Sequence, residues 1–175
     1  MISILIKQMV GILFFLTMID KVTHWKEHKR STLKYNLLPQ KLVSPALAVF
    51  VLVELYISGS LLIFQNMRIA SLSMITLVLI YTGAVIVNIV RGNTDHSCGC
   101  GSVLESERLH WGIVLRNGLL IGAAVVLFME SPTVSLSLLH NLTFLLLSAS
   151  LFLILSTMKT LRVLQQKKRL VSTIK

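Results

Sequence analysis

Five apolar runs, each about 20 residues long and divided by short polar or basic segments, constrain this chain more than any other feature. A run of about 20 apolar residues is long enough to cross the hydrocarbon core as a helix. Lipid offers backbone N–H and C=O groups no partner, so such a run must bond within itself. The runs lie at about residues 2–19, 44–64, 69–90, 111–129 and 134–158. Composition agrees, with 54% of residues hydrophobic and 14% charged, against about 25% charged in a soluble domain. The start, "MISILIKQMVGILFFLTMIDK", has no basic residue ahead of its apolar stretch and no small-residue cleavage site after it, so it reads as a retained span. The expected fold is all-α. It is a single membrane domain over 1–175, a bundle of about five transmembrane helices with an interfacial amphipathic segment between the first two.

The net charge of +10 does not point to nucleic acid here. The 17 Lys and Arg fall mostly outside the apolar runs, as membrane topology and anionic lipid head groups require. Five spans put residues 20–43, 91–110 and the tail from Lys159 on one face. That face carries most of the basic residues, while the other has only Lys7 and Arg68. The positive-inside rule makes the basic face cytoplasmic. Within it, "DKVTHWKEHKRSTLKYNLLPQK" (20–41) intersperses Val22, Trp25, Leu33, Leu37 and Leu38 with cations, the pattern of a helix lying in the interface plane. His24 and His28, four residues apart, have the spacing to share a metal; a solvated basic face is the plainer reading.

Polar groups inside the spans are costly and so informative. Lys7 and Gln8 must snorkel or face the bundle interior. Glu54 lies mid-span in "LVELY", and Arg116 and Asn117 sit inside the fourth span. Pairing Glu54 with Arg116 would lock two helices and place the loop before Trp111. The functional alternative is proton relay or contact with a quinone-like ring. Asn88, Asn117, His140 and Asn141 add capacity for hydrogen bonds between helices.

Both cysteines lie in "HSCGCGS" (96–102). Cys98 and Cys100 flank Gly99, which tolerates backbone angles other residues avoid. A disulfide between them would close a small, strained ring and pass its oxidising equivalents on. Nearby cations such as Arg91 and Arg108 favour the thiolate, although Asp95, Glu105 and Glu107 oppose them. Gly92, Gly99 and Gly101 suggest a mobile loop. A second reading takes His96, Cys98, Cys100 and His110 as four zinc or copper(I) ligands, although one intervening residue is short for a zinc pair. The third reading is an inert pair, but cysteines without a role prefer buried positions to a glycine-rich polar loop. The surroundings favour the redox reading.

The order of these features resembles the methylamine utilisation protein MauE family, within the wider DoxX-like group of small membrane proteins. The resemblance runs over about residues 10–125. It rests on Asp20–Lys21, Leu38–Pro39, Glu54, Arg91–Gly92, the "CGCG" of 98–101 and Arg116–Asn117. The family pattern is closer to Cys-Gly-Cys-Phe-Gly, and no aromatic residue separates Cys100 from Gly101 here. The resemblance implies a membrane protein that works with a thioredoxin-like partner in forming disulfides in an exported client. Cys98 and Cys100 would then be the reacting pair, supported by Gly99, Arg91, Glu54, Arg116 and Asn117. A quinone is a candidate cofactor, and zinc or copper belongs to the metal reading. Whether the protein is itself the thiol–disulfide oxidoreductase or an accessory subunit stays open. A non-catalytic assembly or metal-handling subunit is the alternative from another class. The implied role needs an extracytoplasmic thiol loop, whereas the basic residues put that loop inside.

Overall fold

The computed structural model describes residues 2–64, 67–95, 97–99, 106, 108–129, 146 and 150. Chain contacts divide the protein into two units, Met1–Ser135 and Leu136–Lys175. In the second unit only Leu146 and Ser150 are described, both helical. The expected fifth span, with His140, Asn141 and the basic tail, therefore lies outside the described residues.

The first unit consists of α1 (Ile2–Thr23), α2 (Trp25–Lys34), α3 (Gln40–Gly59), α4 (Met67–Val90) and α5 (Trp111–Met129). Among the described residues there is no strand. Four helical stretches are long and apolar enough to cross a membrane: Ser3–Thr23, Gln40–Ile63, Met67–Val90 and Trp111–Met129. Their outer faces carry Leu52, Ile63, Leu72, Leu79, Leu115 and Leu119 exposed. Such a surface, on helices of this length, suits lipid. This is a multi-pass helical membrane protein.

Each helix turns one stripe inward, and the stripes advance by three and four residues. In α1 the stripe is Lys7, Val10, Phe14, Thr17 and Lys21; in α3 it contains Val43, Leu47, Glu54 and Ile57; in α5, Ile113, Asn117, Ala124 and Leu127. That spacing keeps one face of an α-helix on its neighbours. Lys7 and Gln8 are buried, so they turn into the bundle rather than towards lipid. Val10, Phe14, Ile57, Leu61, Met74, Val78 and Leu127 form the central apolar core.

Two boundaries differ from expectation for local reasons. The first helix runs to Thr23, four residues past the apolar run, because Lys21 finds a partner inside the bundle. The last turn of the second span widens into a π-type turn over Ser60–Phe64, where Gly11 of α1 makes a close approach. A Cβ on Gly11 would lie 2.8 Å from Leu62 Cδ2 and 3.3 Å from Leu61 Cβ. By contrast, nothing lies within 4 Å of a Cβ on Gly83 of α4. Gly11→Val should therefore overpack this crossing and cost about 1–3 kcal/mol. Gly83→Ala should be neutral or stabilising by up to about 1 kcal/mol through helix propensity. Thermal unfolding in detergent, comparing both variants with the parent, checks the opposite signs.

Candidate functional site: a buried ion pair beneath a pinned cysteine loop

The ends of α1 and α4 and the starts of α3 and α5 share one end of the bundle, and the cysteine loop lies there. α4 stops at a left-handed glycine, Gly92 (φ 72°). The Gly92 N–H donates to the Ile89 carbonyl at 3.0 Å and the Asn93 N–H to the Asn88 carbonyl at 2.9 Å. These two bonds are a Schellman cap, which requires a residue free of the Cβ penalty at Gly92. The Arg91–Gly92 pair thus has a structural explanation, with Arg91 exposed at the cap. Among the described residues Asn88 does not bridge two spans. Its side chain donates to the Ala84 carbonyl of its own helix and accepts from Asn93 Nδ2, which also donates to the Lys34 carbonyl of α2.

Cys98 is 7% exposed and packs with Tyr35, Val85, Leu109 and Ile113. The Tyr35 hydroxyl donates to the Cys98 carbonyl at 2.8 Å, and the Cys98 N–H donates to the Ser106 carbonyl at 3.1 Å. Ser31 Oγ donates to the Ser97 carbonyl at 2.9 Å. Gly99 is left-handed (φ 62°), and a Cβ there would stand 3.4 Å from Ser31 Oγ. Residues 97–99 are therefore tied to α2 and to Tyr35, while Cys100 and Gly101 of the segment expected to be mobile lie outside the described residues. The physical reason is α2, whose buried residues His28 and Ser31 and the following Tyr35 share one face at i, i+3 and i+7. This face is polar because it meets loop backbone rather than apolar side chains. Of the apolar residues in this segment, Val22 is exposed, while Leu37 and Leu38 are partly exposed and line the chamber described below.

The remaining sequence candidates separate into clear fates. His24 and His28 share a carboxylate rather than a metal: His24 Nδ1 lies 3.1 Å from Asp20 Oδ1 and His28 Nε2 lies 2.9 Å from Asp20 Oδ2. His28 is buried, so α2 is not wholly a solvated basic face. His110 caps α5, its Nδ1 accepting the Gly112 N–H at 3.1 Å. His96 and Cys100 lie outside the described residues. Among the described residues no three His, Cys, Asp or Glu side chains are grouped to hold a metal.

Glu54 forms an ion pair with Lys21, not with Arg116. Both members are 1% exposed, and the Tyr81 hydroxyl completes the cluster, donating to Glu54 at 3.1 Å and accepting from Lys21 at 3.2 Å. Lysine wins because its flexible four-carbon stem lets a residue in the last turn of α1 reach inward. Arg116 and Glu54 do line one small cavity of about 20 Å³ with Thr17, Tyr81 and Asn117, room for about one water molecule. Arg116 donates to Asn117 Oδ1, and Asn117 Nδ2 in turn donates to Thr82 Oγ1 at 3.0 Å. The expected interhelical role of Asn117 is thus met between α5 and α4.

Between the ion pair and the loop lies a larger chamber of about 480 Å³. Its floor is Lys21 and Tyr81, its walls include Ala46, Leu47 and Phe50 of α3 and Ala84 and Val85 of α4, and Cys98 and Gly99 line its upper end. Sequence reasoning missed Tyr35, Tyr81, Ser31 and Asn93, and counted Lys21 as a flanking charge. Lys21 had a readable signal, since it continues the Lys7–Val10–Phe14–Thr17 stripe. Its burial also removes one residue from the basic face used to orient the chain.

Membrane-spanning helices with a glycine-flanked cysteine loop clamped over a buried ion pair define a class of small polytopic proteins. Within it, this chain belongs to the methylamine utilisation protein MauE family, whose model matches residues 1–130. It is 27% identical over 146 residues to the methylamine utilization protein MauE of Paracoccus denitrificans, covering 83% of this chain and 78% of that one. To the protein of the same name from Paracoccus versutus it is 26% identical over 131 residues, covering 73% and 70%. No solved structure matches it.

Lys21→Met or Glu54→Leu alone leaves a buried charge without its partner and should cost about 3–5 kcal/mol, most of it recovered in the double variant. Thermal unfolding of the four proteins in detergent reads the cycle. Tyr35→Phe removes one hydrogen bond to the loop, about 1 kcal/mol, and should speed alkylation of Cys98 by a permeant maleimide about fivefold in a Cys100→Ser background.

Proposed function

We propose that this protein is a membrane thiol–disulfide relay in which Cys98 and Cys100 exchange with a thioredoxin-like partner during disulfide formation in an exported protein. The carrying observation is the clamp on Cys98. Tyr35, Ser31 and a left-handed Gly99 hold the cysteine backbone at the bundle end, and a pre-positioned sulfur lowers the entropic cost of in-line attack. One thiolate attacks the partner's disulfide and forms a mixed disulfide; the other attacks the sulfur of the first, closing the intramolecular bond and releasing the partner as a dithiol. Run in reverse, the same exchange loads the partner with a disulfide for its client. The name of the Paracoccus relatives, methylamine utilization protein, makes an enzyme of methylamine metabolism the natural client class.

Cys98→Ser and Cys100→Ser should each abolish disulfide formation in the client without lowering the amount of this protein in the membrane. The redox state of the client, trapped with acid and alkylated, reads the outcome. Undiminished client oxidation in both variants would sink the proposal. Stoichiometric zinc or copper lost on Cys98→Ser would move the cysteines to metal handling instead. In intact cells, labelling by an impermeant maleimide only after reduction would put the loop outside; labelling only after the cells are opened would put it inside.

A further inference from the structure

We infer that the 480 Å³ chamber is a binding site for the ring of a membrane-soluble quinone. Its volume falls in the range of small-molecule sites, and such sites pair apolar walls with a few convergent polar groups. The walls here are Ala46, Leu47, Phe50, Ala84 and Val85, from two membrane-spanning helices. The polar floor is the feature that selects the occupant. Lys21 is 1% exposed and carries three N–H donors, of which Glu54 and Tyr81 engage two. Lys21 lines the chamber, so the remaining N–H is a donor for an acceptor that enters it, and an acyl chain has no acceptor to offer. A ring carbonyl does.

Spacing supports the same occupant. Val85 packs against Cys98, and Tyr81 lies one turn deeper, about 6 Å along the axis of α4. That interval is on the scale of a six-membered ring with an oxygen at each end. One carbonyl would accept from Lys21 at the floor while the opposite edge reached the Cys98–Gly99 end. A polyprenyl tail is apolar, as are the chamber walls and the lipid outside.

The electron balance of this assignment rests on the relay reading. Two cysteine thiols lose two electrons and two protons as their S–S bond forms. The quinone gains both, becomes a hydroquinone, and leaves into the bilayer to be reoxidised by the membrane's electron carriers.

The test measures binding of decylubiquinone and menadione to the full-length protein in detergent micelles, by quenching of its two tryptophans and by quinone extraction after purification from membranes. The parent should bind one equivalent. Gly83→Phe and Ala46→Phe, which fill the chamber from α4 and α3, should weaken binding about tenfold. Tyr81→Phe, which keeps the ring and loosens the floor, should weaken it severalfold, and Leu119→Ala on the exposed face of α5 should not. Binding is read with neither client nor thioredoxin-like partner present, so it stands or falls apart from the thiol chemistry. Loss of client oxidation in the chamber-filling variants, with the cysteines intact, would tie the two together. No saturable quinone binding would overturn the inference, as would binding indifferent to both chamber fillers. Phospholipid occupying the chamber in place of quinone, and lost in the same variants, would overturn it as well.

Discussion

The Lys21–Glu54 pair is the interaction on which the rest of this bundle depends. Two full charges held away from water must be compensated where they stand, because desolvation costs several kcal/mol per ion. The compensation is local and three-sided. α1 supplies Lys21, α3 supplies Glu54, and α4 supplies the Tyr81 hydroxyl that bonds to both. In a bilayer, apolar faces slide past one another with little preference, since lipid is as apolar as leucine. A charge pair removes that freedom by setting the depth of three helices against each other. Phe50 packs edge-on against the Tyr81 ring at 5.2 Å between centroids, and the Lys21 ammonium lies 4.9 Å from the same centroid. The tyrosine is thus fixed from two sides.

From that anchor the upper part of the molecule follows. With α1 held at Lys21, the chain leaves the bundle at His24 and lays α2 across the bundle end. There Asp20, the neighbour of Lys21, takes both His24 and His28, so two adjacent residues do opposite jobs. One ties α1 inward and the other ties α2 to α1. α2 in turn presents Ser31 and Tyr35 to the backbone of the cysteine loop, and Asn93 closes the junction from the α4 side through Lys34. A cysteine in a glycine-rich segment is thereby held by groups distant in sequence. The proposed relay would gain position from this clamp, and the chamber lies between clamp and anchor.

Much of this was legible in the residues, and the failures have physical causes. Glu54 and Asn117 stood out because a polar side chain in a span must find a partner, and both did. The partner of Glu54 was misjudged, because Lys21 sits beyond the last long apolar residue of its run and reads as a head-group charge. Reading helix phase instead of apolar length would have placed it inward with Phe14 and Thr17. Arg91–Gly92 is legible as a motif, but that Gly92 caps a helix depends on backbone angles. Tyr35 and Ser31 carried no signal at all, since a docked polar face and a solvated one are written with the same residues.

The sequence by itself determined that this chain is helical and where most of its spans lie. The reason is that the bilayer leaves the backbone no partner but itself and sorts side chains by transfer free energy, residue by residue. The tertiary structure alone decided which buried polar groups meet, how α2 docks, and that a chamber joins Lys21 to Cys98. Those outcomes depend on the relative depth and rotation of neighbouring helices. No single helix encodes these; they emerge when donors and acceptors on several helices are satisfied together.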